Sequence, residues 1–249
     1  MKVAIVIPAR WNSTRFPGKP LAKICGKEVI KYVWEKASLS KLAQDVIVAT
    51  DNKKIKKFCD NSGIKTLMTS KNNKTGTDRI CEVSKKINFD IYCNVQGDEP
   101  LIDPINIDKV ISCLKKNFNK GYEIATGYSE VKNLKKFIKY NDIKTTVFLE
   151  KTGNPNKAFI FYRGTQIESL KSKENKPLKH IGLYAYTKSA LKRFHNYKMS
   201  PSEISESLEQ MRFVENKEKI LCVKIKDSFF AVDYPNDIKK IEKFLKKSN

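Results

Sequence analysis

The sequence predicts an α/β fold with a mostly parallel sheet and a smaller mixed or antiparallel lobe. Three observations predict it. Val3-Ala4-Ile5-Val6-Ile7 is a short, β-branched apolar run, the pattern of a strand covered on both faces. As far as Phe118, such runs alternate with stretches of helical period, which implies parallel strands joined by right-handed crossovers. After Gly121 the alternation gives way to strand-like runs with few helices between them.

In order, Glu28 to Ser40 carries Val29, Ile30, Val33, Trp34 and Ala37 as a helical stripe. Asp45 to Asp51 is a second buried strand, and Asn52 to Ser62 a lysine-rich helix stopped by Gly63. Thr66 to Met68 is a strand. Thr75 to Ile87 is a helix with Ile80, Val83 and Ile87 inward. Asp90 to Val95 is a strand and Pro104 to Phe118 a helix. Beyond Gly121, Ile143 to Leu149, Phe159 to Tyr162 and His180 to Thr187 are expected as strands. Ser200 to Val214 is expected as one helix with Ile204, Leu208 and Met211 on one face. Ile220 to Ile225 and Phe229 to Val232 are expected as short strands, and Pro235 opens the last helix in its first turn. The 249 residues are read as one domain, a core of 1–120 and 200–249 with a lobe of 121–199.

Charge and composition narrow the function. The net charge of +22 invites nucleic acid. Its carriers are overwhelmingly lysines spread along helix faces, as in Lys53 to Lys57 and Lys239 to Lys243. These read as solvated faces, and no nucleic-acid partner is expected. There are six arginines, and two of them, Arg10 and Arg15, stand in the loop after the first strand. Where lysine is the default, an arginine suggests a need for a planar fork that grips phosphate or carboxylate. The 6 cysteines form no C-x-x-C pair, and only 2 histidines could join them, so they read as thiols of a reducing compartment. No apolar run is long enough to span a membrane and no signal peptide opens the chain, so no membrane insertion is expected and the cytoplasm is the expected place.

Three loops carry the chemistry. Arg10 to Lys19 follows the first strand, and ligands of open α/β sheets bind beyond the carboxyl ends of strands. The loop is not a P-loop, because Pro20 follows Gly18-Lys19 and Ser13 stands where the first glycine belongs. No G-x-G-x-x-G is present there either. The plain alternative is a loop that is basic because the chain is basic. Asp98, in Gly97-Asp98-Glu99-Pro100, and Asp233 also follow predicted strands. Carboxylates opposite a basic loop suggest Mg²⁺ bridging them to phosphate oxygens. The alternatives are a turn residue for Asp98 and a helix N-cap for Asp233. Thr75-Gly76-Thr77-Asp78-Arg79 offers N–H groups and hydroxyls at a helix start, for an anion, for a base edge, or for capping alone.

Seven ordered blocks resemble a known family. They are Pro8-Ala9-Arg10 through Pro20, Val48-Ala49-Thr50-Asp51, Ser70 with Gly76 to Arg79, Asn94 to Pro100, His180 to Tyr186, Leu208 to Arg212, and Val232 to Asp237. In this order they are similar to those of the CMP-Kdo synthetases, the 3-deoxy-manno-octulosonate cytidylyltransferases. The resemblance implies a Rossmann-like fold of the nucleotide-sugar transferase type, with a sugar-binding and dimerisation lobe. It implies a dimeric, Mg²⁺-dependent enzyme of lipopolysaccharide or capsule synthesis, joining CTP to an acidic 2-keto sugar. By position, Arg10, Arg15 and Lys19 would hold the triphosphate, and Asp98 and Asp233 the metal. Pro8, Ala9, Ser70, Gly76 and Arg79 would bind the nucleotide, the last three along the cytidine. Gln96, His180, Tyr184, Glu209 and Gln210 would face the sugar acid. One stretch departs from the family pattern of Tyr-Phe-Ser-Arg followed by Ile-Pro. Ile160-Phe161-Tyr162-Arg163-Gly164-Thr165-Gln166-Ile167 keeps an arginine, loses its Tyr and Ser neighbours, and lacks the proline. The loop from Glu168 to Lys179 also reads as short. This leaves open which sugar acid is used, Kdo, a modified form such as 8-amino-Kdo or another 2-keto sugar acid; the alternative of a different class is a non-catalytic relative that binds nucleotide or polyanion.

Overall fold

The computed structural model describes residues 1–131, 145–150, 156–163, 178–227 and 230–248. The chain divides into two compact units, Met1–Asp108 with Ser228–Asn249, and Lys109–Asp227.

The first unit begins with β1 (Val3–Ala9) and a hairpin of β2 (Lys23–Ile24) and β3 (Lys27–Glu28) that the sequence did not announce. α1 (Val29–Ala37), β4 (Asp45–Thr50), α2 (Lys53–Asn61), β5 (Thr66–Met68), α3 (Gly76–Lys86), β6 (Ile91–Asn94) and α4 (Pro104–Asn117) follow, the last running past the division at Asp108. The sheet of this unit has the order β6-β1-β4-β5, and every pair is parallel. β1 is central, with Ile7 opposite Val48 and Val6 opposite Asn94. Val3 to Ile7 are all 0% exposed, as the apolar run required. Each such side chain contributes about 1.5–3 kcal/mol by leaving water. The helices start where polar residues cap them. The Asn52 side chain accepts from the N–H groups of Lys54 and Ile55, and Thr75 and Asp78 form a capping box on α3.

The second unit holds β7 (Ile124–Glu130), β8 (Thr145–Leu149), β9 (Ala158–Arg163), β10 (Leu178–Thr187), α5 (Lys188–Asn196), α6 (Pro201–Glu206), α7 (Met211–Glu215) and β11 (Ile220–Lys224). β10 runs antiparallel to β7, β8 antiparallel to β10 and β9, and β11 parallel to β7. The sheet is mixed, as expected. The β10–β7 register shifts between Ile181 and Tyr184. The Thr126 hydroxyl lies against that irregularity, 3.3 Å from the Ile181 carbonyl oxygen and 3.0 Å from that of Leu183. The chain returns to the first unit and ends in α8 (Pro235–Ser248).

Four expectations need correction. The single helix from Ser200 to Val214 is two helices, because Ser207 between them adopts φ 51. Leu208 and Met211 are buried as expected, but Ile204 is 62% exposed and leaves that face. Phe230 to Val232 is not a strand: the Val232 N–H is used by the Asp98 carbonyl, not by a ladder. α5 stands where the sequence showed no helix. The compact units part at residues 108 and 227, and the core and lobe read from the sequence within one domain are bounded at 120 and 200. Residues 143–144, 164–177 and 228–229 of the expected strands and of the altered stretch lie outside the described residues.

Candidate active site

In the first unit the site is built at the ends of β1 and β6. Past Ala9, the chain folds back on itself, with Ser13 N–H and Gly18 N–H both donating to the Trp11 carbonyl. Gly18 takes φ 73, and a Cβ there would press on the Trp11 ring at 3.2 Å. Lys19 follows directly in a 3₁₀ turn, Lys19–Leu21. Beyond β6, Gly97 passes so close to β1 that a Cβ would lie 2.5 Å from the Pro8 carbonyl oxygen. This glycine sets how near Gln96 and Asp98 come to Pro8 and Ala9. The third segment is joined by main chain, Val232 N–H donating to the Asp98 carbonyl at 2.8 Å.

These backbones bring four predicted residues together. Lys19 Nζ lies 2.5 Å from Asp98 Oδ2, and Arg15 Nη2 lies 2.6 Å from Asp233 Oδ1. The Asp98 and Asp233 carboxylates are 29% and 21% exposed, partly sheltered but reachable. The Asp233 carboxyl is pushed above the usual carboxylate range, first by burial and next by the Asp98 charge, against the pull of Arg15 and Lys19. The two carboxylates therefore feel one another, and they are the pair that could hold a divalent cation. Asp98 does stand in a turn, closed by Glu99 N–H on the Gln96 carbonyl at 3.2 Å. The Asp98 carboxylate answers Lys19, and the carboxylate that caps α8 is that of Asp237, whose Oδ2 accepts from Asp233 N–H and Tyr234 N–H. Arg10 is exposed at the end of β1, with no ion pair among the described residues.

The predicted cytidine residues lie on α3 and in the loop between β5 and α3. Ser70 is exposed, and its N–H donates to Glu82 Oε2, which also takes the Asn73 side-chain amide. Gly76 is the first residue of α3. Arg79 is buried, its Nη1 on the Thr69 hydroxyl and its Nη2 2.8 Å from Asp51 Oδ2. Its fork ties α3 to the ends of β4 and β5, so its guanidinium is already engaged.

In the second unit, His180 Nε2 meets the Thr126 hydroxyl at 3.0 Å, and its ring stands edge-on to Phe161 and tilted on Tyr184. Burial lowers the His180 pKa to about 3, so the ring is neutral. Tyr184 stacks on Tyr186 with centroids 5.4 Å apart. Its hydroxyl pKa is raised, first by burial and then by the nearby Glu209 carboxylate. Tyr184 Oη and Gln210 Nε2 are buried without hydrogen-bond partners among the described residues. Groups left so are costly unless a ligand completes them. Glu209 and Gln210 are held by an internal ion pair that the sequence did not show. Arg212 forks onto Glu203, Nε to Oε2 at 2.7 Å and Nη2 to Oε1 at 2.5 Å, with both side chains under 5% exposed. Its guanidinium also covers the Phe194 ring at 3.9 Å.

Sequence reasoning missed Gly97, Arg212, Tyr234 and Asp237 as parts of the two clusters. Gly97 and Tyr234 could have been suspected from their places beside Asp98 and Asp233. The Asp237 cap and the Glu203–Arg212 fork depend on contacts that sequence spacing alone does not define.

Comparison with known proteins decides the family. Residues 4–220 match the family model described as cytidylyltransferase. The chain belongs to the cytidylyltransferase family. A 3-deoxy-manno-octulosonate cytidylyltransferase from Geobacter sulfurreducens is 37% identical over 252 residues, covering 99% of this chain and 100% of the relative. An 8-amino-3,8-dideoxy-manno-octulosonate cytidylyltransferase from Shewanella pealeana is 38% identical over 242 residues, 96% of each chain. Among solved structures, a CMP:2-keto-3-deoxy-manno-octonic acid synthetase complexed with CTP superposes with a TM-score of 0.90 at 30% identity over 100% of both chains. This cytidylyltransferase thus has the α/β architecture that its blocks implied. Among its described residues no helix is long and apolar enough to cross a membrane.

Proposed function

We propose that this cytidylyltransferase joins CTP to the anomeric hydroxyl of Kdo, giving CMP-Kdo and pyrophosphate. The observation that carries the reading is the paired cluster, Lys19 with Asp98 and Arg15 with Asp233, at the ends of β1 and β6. The hydroxyl oxygen attacks the α-phosphorus, the bond to the pyrophosphate oxygen breaks, and the hydroxyl proton passes to solvent. Nucleophile, phosphates and sugar carboxylate are all electron-rich, so positive charge and positioning supply most of the catalysis. Arg10, Arg15 and Lys19 bind the triphosphate and neutralise the departing pyrophosphate. Asp98 and Asp233, two partly exposed carboxylates, suit Mg²⁺ and would hold it. Mg²⁺, when bound by Asp98 and Asp233, supplies charge stabilisation at the phosphates. Pro8, Ala9, Ser70, Gly76 and Arg79 shape the nucleotide side. Gln96, the neutral His180, Tyr184, Glu209 and Gln210 receive the sugar acid, and the unpartnered Tyr184 Oη and Gln210 Nε2 are its natural hydrogen-bond partners. The reading places the enzyme in the cytoplasm as a homodimer, supplying an activated sugar acid for lipopolysaccharide or capsule assembly.

A second substrate, 8-amino-Kdo, is favoured by one observation. The relatives named for the two sugars stand at the same distance, 37% and 38% identity. Pyrophosphate release from CTP with Mg²⁺ tests both, with each sugar in turn and with ATP, GTP and UTP as controls. Release that requires CTP and Kdo supports the first reading. Release with 8-amino-Kdo alone replaces it, and no release with any sugar acid overturns both.

A further inference from the structure

Tyr234 is a large aromatic residue left 46% exposed, directly after a carboxylate of the site. Its ring lies beneath the Arg15 guanidinium, 5.4 Å from centroid to Cζ. Arg15 is thus held by two consecutive residues in two ways, by charge at Asp233 and by a π face at Tyr234. The frame around these contacts is fixed independently of Arg15. Asp237 Oδ2 accepts from Asp233 N–H at 3.1 Å and from Tyr234 N–H at 2.9 Å, and Lys240 pairs with Asp237 at 2.7 Å. Phe16 and Val232, the neighbours of Arg15 and Asp233 in sequence, pack in one apolar cluster with Ile24, Val29 and Ile241.

The proposed reaction asks Asp233 and Arg15 to part, the carboxylate turning to a metal and the guanidinium to a phosphate. A 41%-exposed arginine released from its only ion pair among the described residues would sample many rotamers, at an entropic cost to each binding event. An aromatic face does not compete for either ligand, and it attracts the cation wherever the carboxylate goes. We propose that Tyr234 is a positioning residue for Arg15, keeping the guanidinium over the carboxylate pair while it exchanges Asp233 for a nucleotide phosphate. The inference rests on the reading of the site given above.

The test is calorimetric affinity for CTP in the presence of Mg²⁺, with circular dichroism to confirm folding. Tyr234→Leu should weaken CTP binding about two- to fivefold. Tyr234→Phe should bind as the wild type does, because the ring and not the hydroxyl acts. In an Arg15→Leu background, Tyr234→Leu should have no further effect, an outcome that a merely structural role would not give. An equal loss in that background, an equal loss in Tyr234→Phe, or no loss in Tyr234→Leu would each overturn the proposal. A wild type that binds no CTP, or an Arg15→Leu protein that binds it normally, would instead overturn the underlying reading of the loop.

Discussion

The two clusters solve opposite problems. The one in the first unit is charged and partly wet, with two cations already resting on two carboxylates. The one in the second unit is drier and aromatic, with His180 uncharged, the Glu209 carboxylate near Tyr184, and two buried polar atoms unpartnered among the described residues. On the proposed reading, charges that would bind highly charged phosphate are kept in solvent-screened pairs, where exchange of partners costs little. On the same reading, a sugar acid recognised by shape and hydrogen bonds would meet groups that are expensive to leave bare, and selectivity would follow from that expense.

The largest effect should come from the wet cluster. Asp98→Asn keeps the volume and removes the charge opposite Lys19. Turnover should fall by about a hundredfold or more, as when a charge-stabilising group is deleted, with the circular dichroism spectrum retained. Near-normal kcat in a folded variant would remove Asp98 from the metal pair. The dry cluster should answer with the opposite signature. Gln210→Leu deletes a buried Nε2 that has no partner among the described residues, so the melting temperature of the ligand-free protein should hold or rise. The sugar-acid KM should climb roughly five- to a hundredfold, the worth of one to two buried hydrogen bonds. A fall in both stability and affinity would mean that Gln210 is structural.

Smaller effects sharpen the contrast. Arg15→Lys preserves charge but loses the fork, and should raise the KM for CTP several-fold; unchanged KM and kcat would place Arg15 outside the phosphate site. His180 should act on stability instead of on turnover. Its folded pKa, about 3, lies below the ordinary value of 6.5, so between these pH values the unfolded chain binds the extra proton. Stability from this group is therefore whole above pH 6.5 and declines as pH falls toward 3. His180→Gln should flatten that part of a melting-temperature profile. A variant that tracks the wild type across the window would show the ring to be ordinary.

Much of the molecule could be read before it was seen, and the reasons lie in particular residues. β1 and β4 were legible because strands buried on both faces are apolar throughout, and α2 and α3 because Asn52 and Thr75 sit at their starts. The break at Ser207 was not legible, since a serine at positive φ leaves no glycine signal. Arg15 reaches Asp233 at the loop, a carboxylate of the protein itself. For Arg79 and Arg212 the same fork serves internal carboxylates, Asp51 and Glu203. A preference for a planar fork says what arginine binds, not whether the partner is a ligand or the protein.

By itself the sequence determined the alternation of β1, β4, β5 and β6 with α1 to α4, the three loops that bear the charges, and the family to which the chain is similar. These are local properties: apolar period, caps, and residue types beyond strand ends. The tertiary structure alone decided which charge answers which. Asp98 meets Lys19 across 79 positions and Asp233 meets Arg15 across 218, because a Gly97 without a side chain lets β6 approach β1 and because Val232 bonds Asp98 instead of extending a strand. Such pairings depend on how backbones are brought together through space, and no periodicity along the chain records that.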